Sequence, residues 1–268
     1  FLHAHPEDTQ LRRYVAIIQE SRDRFEDSLR ELRIILKHRP RLVGIHFHIS
    51  RVLMKLKREK EAIKHLQEVQ SLAPGDSRAP FMLGLYTARQ KKYRKAIPLY
   101  RRALEIEPKN ERFLFNLAIA HYELKEFEDV TRLMKKVLQW NDKNARAKNL
   151  LGYMWAEQGI RLDEAIGLIE KALRLDPNNG AYVDSLGWAY YKKGWLEKAV
   201  LKLELATSLL PDDPVILDHL GDAYRELKRW NDAVRAWRRS LKVNPKNKAM
   251  KNKIERIEKE LQLSLIHI

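Results

Sequence analysis

Small and apolar residues recur along this chain as a block. Leu186-Gly187, Tyr190, Ala199, Ala206 and Pro211 have counterparts 34 residues on, in Leu220-Gly221, Tyr224, Ala233, Ser240 and Pro245. The same template fits upstream at Leu151-Gly152, Trp155, Ala165, Ala172 and Pro177, with one extra residue near Gly159. It fits again at Leu83-Gly84, Ala96, Tyr100, Ala103 and Pro108. Weaker copies carry Leu117-Ala118, His121, Val130 and Val137, with Asp142 in the proline place, and Ala62, Leu66 and Pro74, with Ser50 for glycine. The first copy keeps only Ala16, Leu32 and Pro40. Each block predicts a helical hairpin. Glycine or alanine early in the block lets two helices approach, and small residues later do the same between neighbours. Proline ends the second helix because it lacks an amide donor and clashes with the preceding turn. Pro98 departs from this and predicts a kink or a late start in its helix.

This Leu-Gly pair, the aromatic three residues on, the later alanine and the closing proline resemble the tetratricopeptide repeat (TPR) family. The resemblance implies an all-α right-handed TPR superhelix, or α-solenoid, of about seven helical hairpins plus a C-terminal capping helix. The array spans 1–247, in units 9–42, 43–76, 77–110, 111–144, 145–179, 180–213 and 214–247. Residues 248–263 form the cap, and 264–268, Ser-Leu-Ile-His-Ile, break its pattern and read as a non-native tail. Residues 145–247 also resemble bacterial TPR lipoprotein adaptors of periplasmic carboxyl-terminal processing proteases. That resemblance implies an adaptor in the periplasm or at the outer membrane, with a cytoplasmic setting as the alternative. The chain opens on Phe1 and is expected to be a fragment.

Charge narrows the partner. The net charge is +16, and residues 41–110 supply +10 of it from 16 Lys/Arg against 6 Asp/Glu. An acidic protein segment, anionic lipid or nucleic acid would complement this. Two basic runs, Lys-Leu-Lys-Arg-Glu-Lys at 55–60 and Arg-Gln-Lys-Lys-Tyr-Arg-Lys at 89–95, fall at predicted helix turns in adjacent units. Cysteine is absent, which removes disulfides, thiolate metal sites and cysteine nucleophiles.

Candidate chemistry is sparse. Asp184-Ser185-Leu186-Gly187 looks like a nucleophile motif, but Ser185 lies inside a predicted helix, where no backbone amide is free for an oxyanion hole. His219, one repeat on, is its possible neighbour. His46 and His48 are two apart and point to different faces. Asp218 and Asp222 share a face and flank His219, yet read as a solvated groove wall. No P-loop or dinucleotide fingerprint occurs. The expectation is a non-catalytic protein, with no cofactor, no metal and no small-molecule substrate.

The TPR resemblance implies that first-helix positions two, five, nine, twelve and thirteen face a concave groove. Position two carries Arg78, Arg112 and Arg146. Position five carries Phe47, Phe81, Phe115, Asn149, Asp184 and Asp218. Position nine includes Arg51, Tyr153, Trp188 and Asp222. The expected site is therefore a phenylalanine ladder beside an arginine ladder, for a protein or peptide partner of acidic and apolar character. The phenylalanines could equally pack between units. Further on, Glu157, Asp184, Asp218, Asp222 and Glu226 predict an acidic end that would set ligand direction. The chaperone-type carboxylate clamp set is not present.

Overall fold

Side-chain caps open most of the first helices. Asn110 accepts from the Phe113 amide, Asn144 from Ala147, Asn179 from Tyr182 and Asp213 from Ile216, each holding an amide that the first turn leaves unbonded. A computed structural model describes the backbone of residues 8–266 and the side chains of residues 8–259. All regular structure among these residues is helical.

Two units divide the chain, one up to Leu133 and one from Met134 onward. The first contains α1 (Thr9–Ser21), α2 (Phe25–His38), α3 (Val43–Lys55), α4 (Glu59–Leu72), α5 (Arg78–Arg89), α6 (Tyr93–Ile106) and α7 (Glu111–Glu123). The division falls within α8 (Phe127–Trp140). The second contains α9 (Ala145–Gln158), α10 (Leu162–Leu175), α11 (Gly180–Lys192), α12 (Leu196–Leu209), α13 (Pro214–Glu226), α14 (Trp230–Val243) and α15 (Lys248–Ile266). In each unit consecutive helices pack as hairpins and each hairpin packs on the next, the α-solenoid arrangement.

The close approaches explain the small residues. A Cβ at Gly187 would lie 2.7 Å from Cγ of Leu203, which is fully buried in α12. At Gly221 it would run into the indole of Trp237, so the glycine is what admits tryptophan there. Ala96, Ala103, Ala199, Ala206 and Ala233 are all fully buried at the corresponding helix contacts.

Hairpin turns use a left-handed residue just before the second helix. It is Asp23, Lys57, Lys91, Lys125, Gly194 or Lys228, with φ between 57° and 80°. The extra residue near Gly159 is absorbed by two such positions, Gly159 at 69° and Arg161 at 48°. Pro98 does not delay its helix. α6 starts at Tyr93, 34 residues after the start of α4, and runs for 14 residues through an exposed Pro98. Beyond the last hairpin, Asn247 caps α15 through the Met250 amide, and Met250, Ile254 and Ile257 enter the core of Trp237 and Ala236. α15 continues to Ile266, past the end expected for the cap at residue 263. Residues 267 and 268, and the side chains of the expected non-native tail, lie outside the described residues.

Candidate functional site

In the first unit the two expected ladders are one interlocked structure. Arg78 opens α5 and reaches back over the ring of Phe47 in α3, 4.8 Å from its centre. Arg112 opens α7 and lies over Phe81 in α5 at 4.9 Å. A guanidinium on an aromatic face is attracted by the ring quadrupole and keeps its outer edge in water. Both arginines are exposed. They differ in what else they touch. Arg78 grips Asp76, with Nε–Oδ1 at 2.9 Å and Nη2–Oδ2 at 2.6 Å, which raises the arginine pKa and lowers that of Asp76. Arg112 has no carboxylate partner among the described residues, and neither does Arg51 on α3.

Phe81 is a correction to the expected ligand face. Its ring is 3% exposed, stacks on Phe113 at 4.3 Å and meets Tyr100 at 5.8 Å. It packs between hairpins, and Arg112 covers its remaining side. Phe47 and Phe115 are half-buried and Arg146 is exposed.

The second unit departs further from the expected groove. Trp188 and Asp184 are 7% and 6% exposed, so neither offers the open contact expected of it. Trp188 stacks on His219 at 4.1 Å and on Tyr191 at 4.7 Å, and its Nε1 donates to Glu157 at 2.5 Å. His219 Nδ1 donates to Asp184 at 2.9 Å, and the half-buried Tyr153 lies 6.5 Å from the imidazole. Asn149 has a buried Oδ1 with no hydrogen-bond partner among the described residues. Ser185 does not meet His219: its hydroxyl donates to the Ala181 carbonyl at 2.9 Å, one turn back in its own helix. An oriented imidazole is present, but the hydroxyl it would need to activate is turned away.

The acidic end is not open either. Lys253, from α15, places its ammonium 2.6 Å from Asp218 and 2.8 Å from Asp222. Burial pushes Asp222 above the usual carboxylate range, and Lys253 offsets only part of this. For Lys253 burial opposes the charge, but hydrogen bonds to both aspartates outweigh it and its pKa is raised. Glu226 pairs with Arg225 at 2.5 Å. Every carboxylate expected to make this end acidic therefore has a partner within the chain. His46 and His48 also part company. His46 Nε2 donates to the Pro40 carbonyl at 2.7 Å and its Nδ1 meets His65 at 3.0 Å, while His48 bonds Glu20 at 2.5 Å. Burial lowers the His65 pKa, and the neighbouring His46 adds to this.

Residues 43–76, 88–152, 132–180 and 214–247 each match a family model of the tetratricopeptide repeat. A stretch of 79 residues is 43% identical to the TPR repeat-containing protein PA4667 of Pseudomonas aeruginosa. That stretch is 30% of this chain and 13% of the relative, so the chain spans a small part of it. A TPR protein of Parabacteroides merdae superposes with a TM-score of 0.78 at 11% identity, covering 93% of this chain and 98% of that one. YrrB, described as a TPR protein with an unusual peptide-binding site, superposes with a TM-score of 0.54 at 18% identity over 69% of this chain and 95% of its own. At these identities the structural likeness carries the fold alone, while the matched repeats together cover more than half of the sequence. With the α-solenoid hairpins and the recurring glycine contacts, they place this chain in the tetratricopeptide repeat family.

Proposed function

We propose that this chain is a non-catalytic scaffold that captures an acidic, partly apolar protein segment along the first-helix face of its first unit. One observation carries the reading: Arg112 is held by the Phe81 ring and not by a carboxylate, so its fork is free for a partner's carboxylate. Arg78 repeats the arrangement on Phe47, and Arg51 adds a second uncommitted guanidinium. Half-buried Phe47 and Phe115 supply apolar surface beside them. Arg146 carries the same residue type at the same repeat position, and in the second unit Asn149 and Tyr153 are half-buried. YrrB, a TPR protein with an unusual peptide-binding site, supports a peptide-binding role for a chain of this fold.

An array of immobilised peptides of varied charge and apolar content tests this. Wild-type chain should be retained by acidic peptides containing aromatic or branched residues, and Arg112→Glu should lose that retention. Retention that is indifferent to peptide acidity, or unchanged in Arg112→Glu, would sink the proposal.

A second reading rests on the exposed edge formed by Lys55, Lys57 and Lys60 at one turn and Arg89, Lys91, Lys92, Arg94 and Lys95 at the next. Here the chain would be a cytoplasmic assembly factor touching nucleic acid or an anionic membrane. Its mark is salt-sensitive binding to duplex or to anionic vesicles, which the peptide reading does not require. The envelope-adaptor version of the scaffold rests on the resemblance of residues 145–247. Fractionation of the full-length product would separate it from the cytoplasmic setting.

A further inference from the structure

The repeat supplies its own control for one unusual turn. Between α13 and α14, Arg229 bonds Asp232 at 2.8 Å and lies 4.4 Å over the Tyr224 ring. Between α9 and α10, Arg161 bonds Glu164 at 2.8 Å and lies 4.1 Å over Trp155. Between α3 and α4, Arg58 bonds Glu61 at 2.6 Å. Each of these turns seats a guanidinium beside the acidic residue three positions on, and two of them place it over an aromatic ring.

The α7–α8 turn keeps the acidic residue as Asp129 but replaces the other two. Glu126 stands in the arginine place and His121 in the aromatic place. The fixed cation is gone, and two carboxylates now face one imidazole. His121 is 4% exposed; its Nδ1 lies 2.5 Å from Glu126 Oε2 and 3.7 Å from Asp129 Oδ2. The three ligand atoms fall within 4.8 Å of one another. Arg132 takes the other Asp129 oxygen, so it orients this carboxylate without filling the space between the three groups.

We propose that this turn binds a divalent transition metal, Zn²⁺ by chemistry, through His121 Nδ1, Glu126 and Asp129, with water completing the shell. One nitrogen and two carboxylates suit zinc, whose bonds of roughly 2.0–2.2 Å place tetrahedral ligands about 3.3 Å apart. The observed separations of 2.5 and 3.7 Å bracket that spacing. Both carboxylates are partly exposed, at 38% and 32%, which gives the ion an entry path and lets Glu126 rotate outward. The metal replaces the proton on Nδ1, so affinity weakens as pH falls. The buried histidine fixes one ligand, and the ion does for this turn what arginine does for its sisters.

The test is calorimetric titration of the full chain with Zn²⁺, paired with Co²⁺ absorption. Glu126→Arg is the informative variant, because it restores the residue that three sister turns already carry and so keeps the turn foldable. Wild type should give a one-to-one isotherm and cobalt visible bands, and both should be lost in Glu126→Arg and in His121→Tyr. Zinc binding of undiminished stoichiometry in Glu126→Arg would overturn the proposal, as would a wild-type chain with no isotherm. The variant's circular dichroism must match wild type, which separates loss of the site from loss of the fold.

Discussion

Arg112 covers the Phe81 ring from one repeat downstream, its guanidinium carbon 4.9 Å from the ring centre. The two side chains do different jobs. Phe81 is core, and Arg112 is the exposed charge mounted on it. Phe81→Ala should cost about 3–5 kcal/mol, as for other buried phenylalanines. Arg112→Glu should cost under about 1 kcal/mol, the scale of an exposed cation–π contact, while abolishing capture of acidic peptides. Urea unfolding and peptide retention measured on both variants check this. Equal destabilisation by the two changes would mean that the roles are not separated.

Gly187→Leu forces a branched side chain into the space held by Leu203. Overpacking of this kind costs about 1–3 kcal/mol. The thermal midpoint should fall. A midpoint that stays put would mean that α11 and α12 do not cross at this glycine.

Lys91 sits at φ 59° in an exposed turn. A side chain in the left-handed region costs roughly 1–2 kcal/mol, part of which glycine returns through its greater freedom in the unfolded chain. Lys91→Gly should therefore stabilise by up to about 1 kcal/mol. The same change at Pro98, inside α6, should not. Chemical denaturation of the pair distinguishes a turn effect from a general one.

Lys253→Met removes the ammonium between Asp218 and Asp222 and leaves Asp222 buried without it. At neutral pH this should cost about 1–3 kcal/mol, the penalty for an abandoned buried polar partner. The sign of the pH dependence follows from Asp222, whose folded pKa is already raised by burial. A raised carboxylate pKa means that the folded state holds the proton more tightly, so stability is present below the ordinary value and lost as pH rises through the raised one. Losing Lys253 raises it further. The deficit of the variant should thus shrink towards about pH 4 and grow towards neutrality. In the wild type, the raised Lys253 pKa means that its contribution is lost only as pH climbs through that raised value. A deficit independent of pH would show that the lysine acts by packing alone.

The hairpins were legible in the sequence because glycine, alanine and proline mark contacts where any larger or freer residue fails. Gly187 and Ala199 mark α11–α12 without reference to the rest of the chain. The arginine and phenylalanine columns were legible for the same reason. Their stacking was not, since it joins position two of one unit to position five of the unit before, and that depends on how successive hairpins are staggered. Trp188 and Asp184 sit in columns expected to face the groove, yet a column specifies direction and not depth. Tyr191 and His219, both large, decide that these two are covered. Lys253 falls in the helix expected to cap the array, and nothing local says that its ammonium reaches two aspartates more than 30 residues back. His121 was seen as a weak match to an aromatic position, and only the geometry of the sister turns shows which chemistry that exchange introduces.

The contacts that reach from one hairpin into the next bear on how the array comes apart. Opening α7 takes Arg112 off Phe81 and Phe113 off the same ring, and opening α13 takes His219 from both Asp184 and Trp188. A hairpin cannot be released without stripping its neighbour, so protection against amide exchange should be shared between adjacent hairpins and decay by whole repeats.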